Sequence, residues 1–423
     1  MIKEDLRYDL LQRPQNNLKV VDLFCGGGIG ACGTKLAGYD IVQAIDNNKY
    51  AVATYNKNIG EHAINIDIRL VEELPYHDIM ISSPVCKSFS FAGNCKGVND
   101  EKYGDLSYHF LRLLEKNKPK AFVFENVKGM VSKKHKTFFD DLVNRLRDIG
   151  YEISWKVVNT HNYGVPQLRE RIFIVGVRND IDLKFEFPLE IDDRLKTNLR
   201  YAIGDLPNPQ MVLNSSKDVY VSEEKSVLEN HIGYGIRNDE KEFINDIKAG
   251  ENWKALSKEK QKAFMKGALN SGGGKTGFLR KVMFDKPSYT ITSSMFCKSN
   301  AQIIDNHDKY IDGNFSSRYV SRNRQKQWNE PSFTIVSVGK QLPLYPEPSN
   351  YDIRNMDKYD CLPPRRFTVR ECLRIQTVPD SYVIDSDIPL NKQYEIVGNG
   401  IPSLMLYKIL INLEKVLLKK KVA

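Results

Sequence analysis

Apolar positions in the first 180 residues fall into short unbroken runs, separated by longer stretches of helical period. LKVVDLF from Leu18, DIVQAID from Asp40, HDIMISSP from His77, KAFVFENV from Lys120 and RIFIVGVR from Arg171 each read as a strand buried on both faces. Between them GACGTKLAG, NKYAVATYNKN and DLSYHFLRLLEKNK read as helices. Strand–helix alternation of this kind predicts an α/β, doubly wound, mostly parallel sheet. After Arg178 the period fades. From about Phe185 to Phe367 the chain is rich in Lys, Asn, Ser, Gly and Pro, and carries only short strand-like pieces. Two of these, DKPSYTITSS from Asp285 and NEPSFTIVSV from Asn329, echo each other as a proline turn feeding a strand. Periodicity returns at the end, where GNGIPSLMLYKILINLEKVLLKKK reads as an amphipathic helix opened by Pro402. The pattern divides the chain into a first domain over 17–184, a smaller irregular β-rich domain over 185–382, and a segment over 383–423 that returns to the first.

Composition sharpens this modestly. At 423 residues, 41% apolar and 27% charged, the chain is long enough for two globular domains. Its formal net charge of +9 favours a polyanionic partner. Seven cysteines without any C-x-x-C pair point to free thiols in a reducing compartment and give no metal-ligand spacing. The charged start, MIKEDLRYDL, lacks an apolar signal core, and no apolar run approaches membrane-spanning length. The expectation is a cytoplasmic protein with no membrane association.

Four stretches carry candidate chemistry. Gly28-x-Gly30-x-x-Gly33 follows the first strand and opens a helix, with Asp46 ending the second strand. Such a turn aims backbone N–H groups at a ligand, and the acid suits a ribose. It fits a nicotinamide dinucleotide and S-adenosylmethionine equally. Asp22, Phe24 and Gly26 just before it suit an ammonium group, an adenine ring and a tight turn. Cys86, in SSPVCKSFSFAG, follows a strand end, where open α/β sheets bind ligands. Beside Lys87 it is a candidate thiolate nucleophile, and equally a buried structural cysteine. Glu125, in AFVFENVKGM, closes a buried strand, where burial would raise its pKa enough for proton donation, unless it is a helix-capping or salt-bridged glutamate. Gln167, Arg169 and Arg171 are spaced by two and so share one face of an extended strand.

Taken together and in order, DLFCGGGIG, AIDNNKYAVATYNKN, the Asp67-Ile68 pair, PVCKSF, ENVKG, QLRER, RRFTVRECLRIQTVPDSY and VGNGIP resemble the DNA (cytosine-5) methyltransferase family. The resemblance covers about 19–178 and again about 329 to the end. It implies a Rossmann-like methyltransferase domain and S-adenosylmethionine as cofactor. Phe24 would stack on adenine, Asp46 with Asn47 would hold the ribose, Asp67 and Ile68 the adenine, Leu106 would be a further contact, and Asn399 would close over the methionine end. Gly26 and Gly28 form the loop. It also implies that Cys86 attacks carbon 6 of a flipped-out cytosine in double-stranded DNA. Glu125 would hold and protonate the ring, Arg171 would hold its O2, and Arg169 and Gln167 would organise the strand. The loop after Cys86, with Gly93, Gly97 and Gly104, would be a lid. The region 185–382 would recognise the target, with Lys281, Arg318, Arg322, Arg324 and Lys326 as backbone contacts.

The chain departs from the family's usual Pro-Pro-Cys-Gln with Pro84-Val85-Cys86-Lys87, which puts the usual glutamine contacts in doubt. The setting implied is prokaryotic restriction–modification, with a monomeric enzyme and a cognate restriction endonuclease acting on the same site. A tRNA cytosine-5 methyltransferase is the alternative, and a silent DNA-binding relative is disfavoured by intact Cys86, Glu125 and Arg171.

Overall fold

The computed structural model describes residues 12–84, 106–206, 209–212, 228–270, 276–293, 302–304 and 365–418. Cys86 and Lys87, the three lid glycines, Arg318, Arg322, Arg324, Lys326 and the sequence echo at Asn329 lie outside the described residues.

The main sheet has seven strands: β1 (Lys19–Leu23), β2 (Asp40–Asp46), β3 (Ala63–Asn65), β4 (Ile79–Ser82), β5 (Ala121–Val127), β6 (Tyr151–Asn159) and β8 (Glu170–Arg178). Their order is β3-β2-β1-β4-β5-β8-β6. The first five are parallel, and β8 runs antiparallel to both β5 and β6. The sheet is therefore parallel-dominated rather than wholly parallel. The chain between β6 and β8 is too short for a crossover, so the two pair as neighbours in opposite directions. Within it lies the two-residue strand β7 (Gln167–Leu168). From β1 the chain adds β2 and β3 on one side and β4 and β5 on the other, so the switch between β1 and β4 opens the crevice where such folds bind ligands.

Alternation along each strand divides the core. Val20, Ile79, Ile81, Val123, Phe173 and Val175 face one cluster, with Tyr55, Leu406 and Ile409 from the helices. Val21, Leu23, Met80, Phe122, Phe124, Ile172 and Ile174 face the other, with Phe110 and Leu142. Helices α1 (Ile29–Leu36) and α2 (Lys49–Asn58) cover the first face, and α3 (Leu106–Asn117) and α4 (Lys136–Ile149) the second. Burial of both faces is why these strands read as unbroken apolar runs.

The second region has a small core of its own. Ile236, Phe243, Ile247, Trp253, Phe264, Leu279 and Ile303 pack around α5 (Asn238–Ile244) and α6 (Lys258–Met265). It is fastened by a fully buried ion pair, Arg366 to Glu240 at 2.8 Å, with Arg366 also donating to the Gly235 carbonyl. Such a pair gives registry more than net stability. Lys281, expected at the DNA backbone, is instead buried in the short strand β9 (Arg280–Lys281), because its segment pairs with β10 (Gln302–Ile304). Ile291, Phe367, Leu373, Ile375 and Tyr382 join the main core.

Three helices close the chain: α7 (Val369–Ile375), α8 (Leu390–Asn399) and α9 (Ser403–Leu417). Leu390–Leu417 is the one described stretch long and apolar enough to cross a membrane. It is broken at Gly400–Pro402 into two helices and mostly buried, as core helices are. Helix α9 lies on α1. A Cβ on Gly33 would stand 2.1 Å from the Ser403 carbonyl oxygen, so only glycine permits this approach.

Candidate active site

Those expected residues that the structure describes lie toward the C-terminal edge of the sheet. At the β1–β2 end, Gly26 (φ +53°) and Gly28 (φ +85°) take left-handed conformations, and Gly28 caps α1. Phe24 does so too, at φ +60°. Asp46 holds this loop: Oδ2 accepts the Gly26 N–H at 2.9 Å and Oδ1 the Asn48 N–H at 2.8 Å. Burial pushes the Asp46 carboxyl up, and these N–H groups pull it back. Asp22 lies behind the loop, and burial, with Asp46 adding to it, pushes its carboxyl up to about 8. Tyr382 donates its hydroxyl to the Gly27 carbonyl, fixing the loop from the far end of the chain.

Phe24, Ile68 and Leu106 converge in one apolar cluster on the second face. Asp67 precedes Ile68 and caps a short 3-10 turn through the Arg69 N–H, while its other oxygen pairs with the Arg69 guanidinium at 3.0 Å. Asn47 is exposed at the rim, as is Asn399, the last residue of α8.

At the β5–β8 end the register sets Val127 against Arg171 and Glu125 against Phe173. Glu125 and Arg171 point to the same face, with Arg171 Nε 3.0 Å from Glu125 Oε1. The N–H is not aimed at that oxygen, so Oε1 is buried without accepting a hydrogen bond. A desolvated carboxylate oxygen left open this way is costly in isolation and suits a ligand donor. The strand ends are tied together by residues to which the sequence reading gave no role. Asn126 donates to the Pro84 carbonyl at 3.4 Å, and Ser83 donates to the Phe24 carbonyl at 3.2 Å. The stem leading to Cys86 is thus joined both to the glycine loop and to the Glu125 strand.

Gln167 and Arg169 share the inward face with Arg171, as their spacing predicted, but Arg169 is turned onto backbone carbonyls of Ile291, Gly398 and Gly400. Gln376, absent from the expected site, meets Gln167 in the same buried cluster. Its only signal was its place in the RIQ tripeptide of the motif RRFTVRECLRIQTVPDSY. The described cysteines, Cys25, Cys32 and Cys372, are buried, and burial pushes all three thiols up, Cys32 to about 12. None of these three is a thiolate near neutral pH.

A family model described as C-5 cytosine-specific DNA methylase matches residues 18–415. Type II methyltransferase M.MthTI of Methanothermobacter thermautotrophicus is 32% identical over 396 residues, covering 91% of this chain and 94% of that one. Type II methyltransferase M.FnuDI of Fusobacterium nucleatum is 31% identical over 412 residues and 96% of each chain. Among solved structures, the Entamoeba histolytica methyltransferase EhMeth superposes with a TM-score of 0.56 at 17% identity, over 96% of this chain and 100% of that one. That likeness shows the shared methyltransferase fold.

Proposed function

The chain belongs to the C-5 cytosine-specific DNA methylase family and is a DNA cytosine-5 methyltransferase, and from that premise we propose that it methylates a flipped-out cytosine in a specific double-stranded sequence through a covalent bond to Cys86. The pairing of Glu125 with Arg171, with Glu125 Oε1 open, is the observation that carries the reading.

The residues at the β1–β2 end fit S-adenosylmethionine. A left-handed glycine turn lets backbone approach the ligand, an apolar cluster of Phe24, Ile68 and Leu106 suits adenine, and Asp46, with Asp22 once it ionises, supplies a carboxylate for a cationic group. Asp46 with Asn47 would hold the ribose, Asp67 would face the adenine edge, and Asn399 would cover the methionine end. When bound, the cofactor supplies an electrophilic methyl group on a positively charged sulfur.

Carbon 5 of cytosine is a weak nucleophile. The Cys86 thiolate bonds to carbon 6, and the displaced π electrons make carbon 5 nucleophilic. Glu125 binds N3 and the exocyclic amine and delivers a proton as charge builds on the ring. Arg171 holds O2. Carbon 5 takes the methyl and loses its hydrogen as a proton to water, N3 returns its proton to the Glu125 carboxylate, and the re-formed double bond expels the Cys86 thiolate. None of this is reachable inside a stacked duplex, so the base must be flipped out.

The region 185–382 would form the other wall of the DNA cleft and read base edges in the major groove. The Type II relatives favour DNA over tRNA and a restriction–modification setting, in which the enzyme would act as a monomer alongside an endonuclease for the same site. Methyl transfer from labelled S-adenosylmethionine into duplex DNA and into tRNA, followed by nucleoside analysis, tests the reading. It requires 5-methylcytosine in duplex DNA, and label entering only tRNA contradicts it.

A further inference from the structure

The turn Gly398–Asn399–Gly400 sits between the two halves of the site. On one side the second region presses on it: a Cβ on Gly398 would lie 2.2 Å from the Ser293 nitrogen and from the Thr292 carbonyl carbon. On the other side it meets the glycine-loop helix, where a Cβ on Gly400 would stand 2.4 Å from that of Ile29. Side chains as large as alanine are excluded from both faces, so the turn cannot shift without moving one neighbour or the other.

Arg169 staples this junction from the strand that leads to Arg171. Its guanidinium is buried and donates to Ile291 O at 3.0 Å, to Gly398 O at 3.3 Å and to Gly400 O at 3.1 Å. The rigid fork of an arginine can reach carbonyls on two segments at once, which an ammonium cannot do in the same geometry. Two glutamines run parallel to it. Gln167 accepts the Ile291 N–H at 2.9 Å and donates to Gln376 Oε1 at 3.0 Å, and Gln376 donates to Val397 O at 2.9 Å. From Gln376 the connection continues to the cofactor loop. The Ser403 N–H donates to the Gln376 carbonyl, and the Ser403 hydroxyl donates to the Ile29 carbonyl at 2.6 Å.

We propose that Arg169, supported by Gln376, is a positioning residue that makes cofactor closure at Asn399 and target placement at Arg171 interdependent. The proposal rests on the functional reading above. It gives Arg169 no contact with the reacting atoms. Ordering the turn over the cofactor orders Ile291 and the Arg171 strand through shared hydrogen bonds, so each ligand then meets a site already arranged for it.

The test measures affinity for plasmid DNA that the wild type methylates, with and without S-adenosylhomocysteine, in the wild type and in Arg169→Lys. Thermal unfolding serves as the control for folding. The wild type should bind DNA severalfold more tightly with the product analogue present, and Arg169→Lys should bring that ratio close to one. In steady state the variant should raise the cofactor KM about tenfold, with a smaller change in kcat. Should Arg169→Lys fail to fold, Gly398→Ala strains the same junction from the second region and should lower the same ratio. A ratio of one in the wild type, a variant ratio equal to the wild type's, or a loss confined to kcat overturns the proposal. A wild type that methylates no DNA overturns the functional reading itself, and the coupling with it.

Discussion

The two ends of the site carry carboxylates near the C-terminal ends of parallel strands, yet their electrostatics are opposite. At the β1–β2 end burial and the nearby Asp46 push the Asp22 carboxyl up, burial pushes Asp46 up, and Asp46 is steadied by backbone N–H groups. At the β5–β8 end Glu125 faces the Arg171 guanidinium at 3.0 Å. The first end is short of positive charge and suits a cationic ligand. The second is balanced, and suits a neutral ring that needs hydrogen bonds and a proton. In the proposed function the first end would hold the methyl donor and the second would activate the base, so mutations at the two ends should fail in different ways.

The largest effect should come from the balanced end. Glu125→Gln keeps the shape and removes the acid. Methyl transfer in single turnover should fall by roughly two orders of magnitude or more, while S-adenosylmethionine binding stays within a fewfold. Equal loss of both would erase the distinction between the ends.

At the other end the prediction is a pH dependence. The Asp22 carboxyl stands at about 8 in the folded chain, far above the ordinary 3.8, so it is largely protonated at neutral pH. Between those values the folded state holds a proton that the unfolded state has released, and stability from this group declines as pH rises through the window. A cationic ligand prefers the ionised form. Its affinity should therefore climb from pH 6 to pH 8, by up to about tenfold per unit, and then level off. Calorimetric titration of S-adenosylmethionine should give that slope in the wild type and a flat profile in Asp22→Asn. A slope that survives the substitution assigns the proton elsewhere.

A smaller effect should sharpen the comparison. The β1–β2 end depends on close backbone approach, since Gly33 admits the Ser403 carbonyl at 2.1 Å from where a Cβ would stand. Gly33→Ala should cost about 1–3 kcal/mol of unfolding free energy by overpacking, read from denaturant titration. It should weaken cofactor binding while leaving the Glu125 end able to react once cofactor is saturating. An unchanged unfolding midpoint would mean that α9 slides easily and does not brace the loop.

Much of this was legible in the sequence where burial is local in origin. VVDLF and AFVFENV are unbroken apolar runs because both faces of those strands are covered, and the glycines announce the turn that needs them. Strand β6 was not read, because YEISWKVVN is an edge strand whose Glu152 and Trp155 are exposed and break the run. The spacing of Gln167, Arg169 and Arg171 gave their shared face but not their partners. Ile291, Gln376 and Gly398 lie 122, 209 and 229 residues away from them in the chain, and no local pattern encodes such pairings. The elevated Asp22 carboxyl was hidden for the same reason: its burial is made by the assembled loop and helices.

The central claim is a covalent bond from Cys86 to carbon 6 of cytosine, released only when carbon 5 loses its hydrogen. Fluorine at carbon 5 of the target cytosine blocks that loss. With S-adenosylmethionine present, duplex DNA carrying this base should trap the wild-type protein as a denaturant-resistant adduct whose peptide map ends at Cys86. Cys86→Ser should give none, since a hydroxyl is a far weaker nucleophile than a thiolate near neutral pH. An adduct that persists in Cys86→Ser, or that maps to another cysteine, contradicts the account.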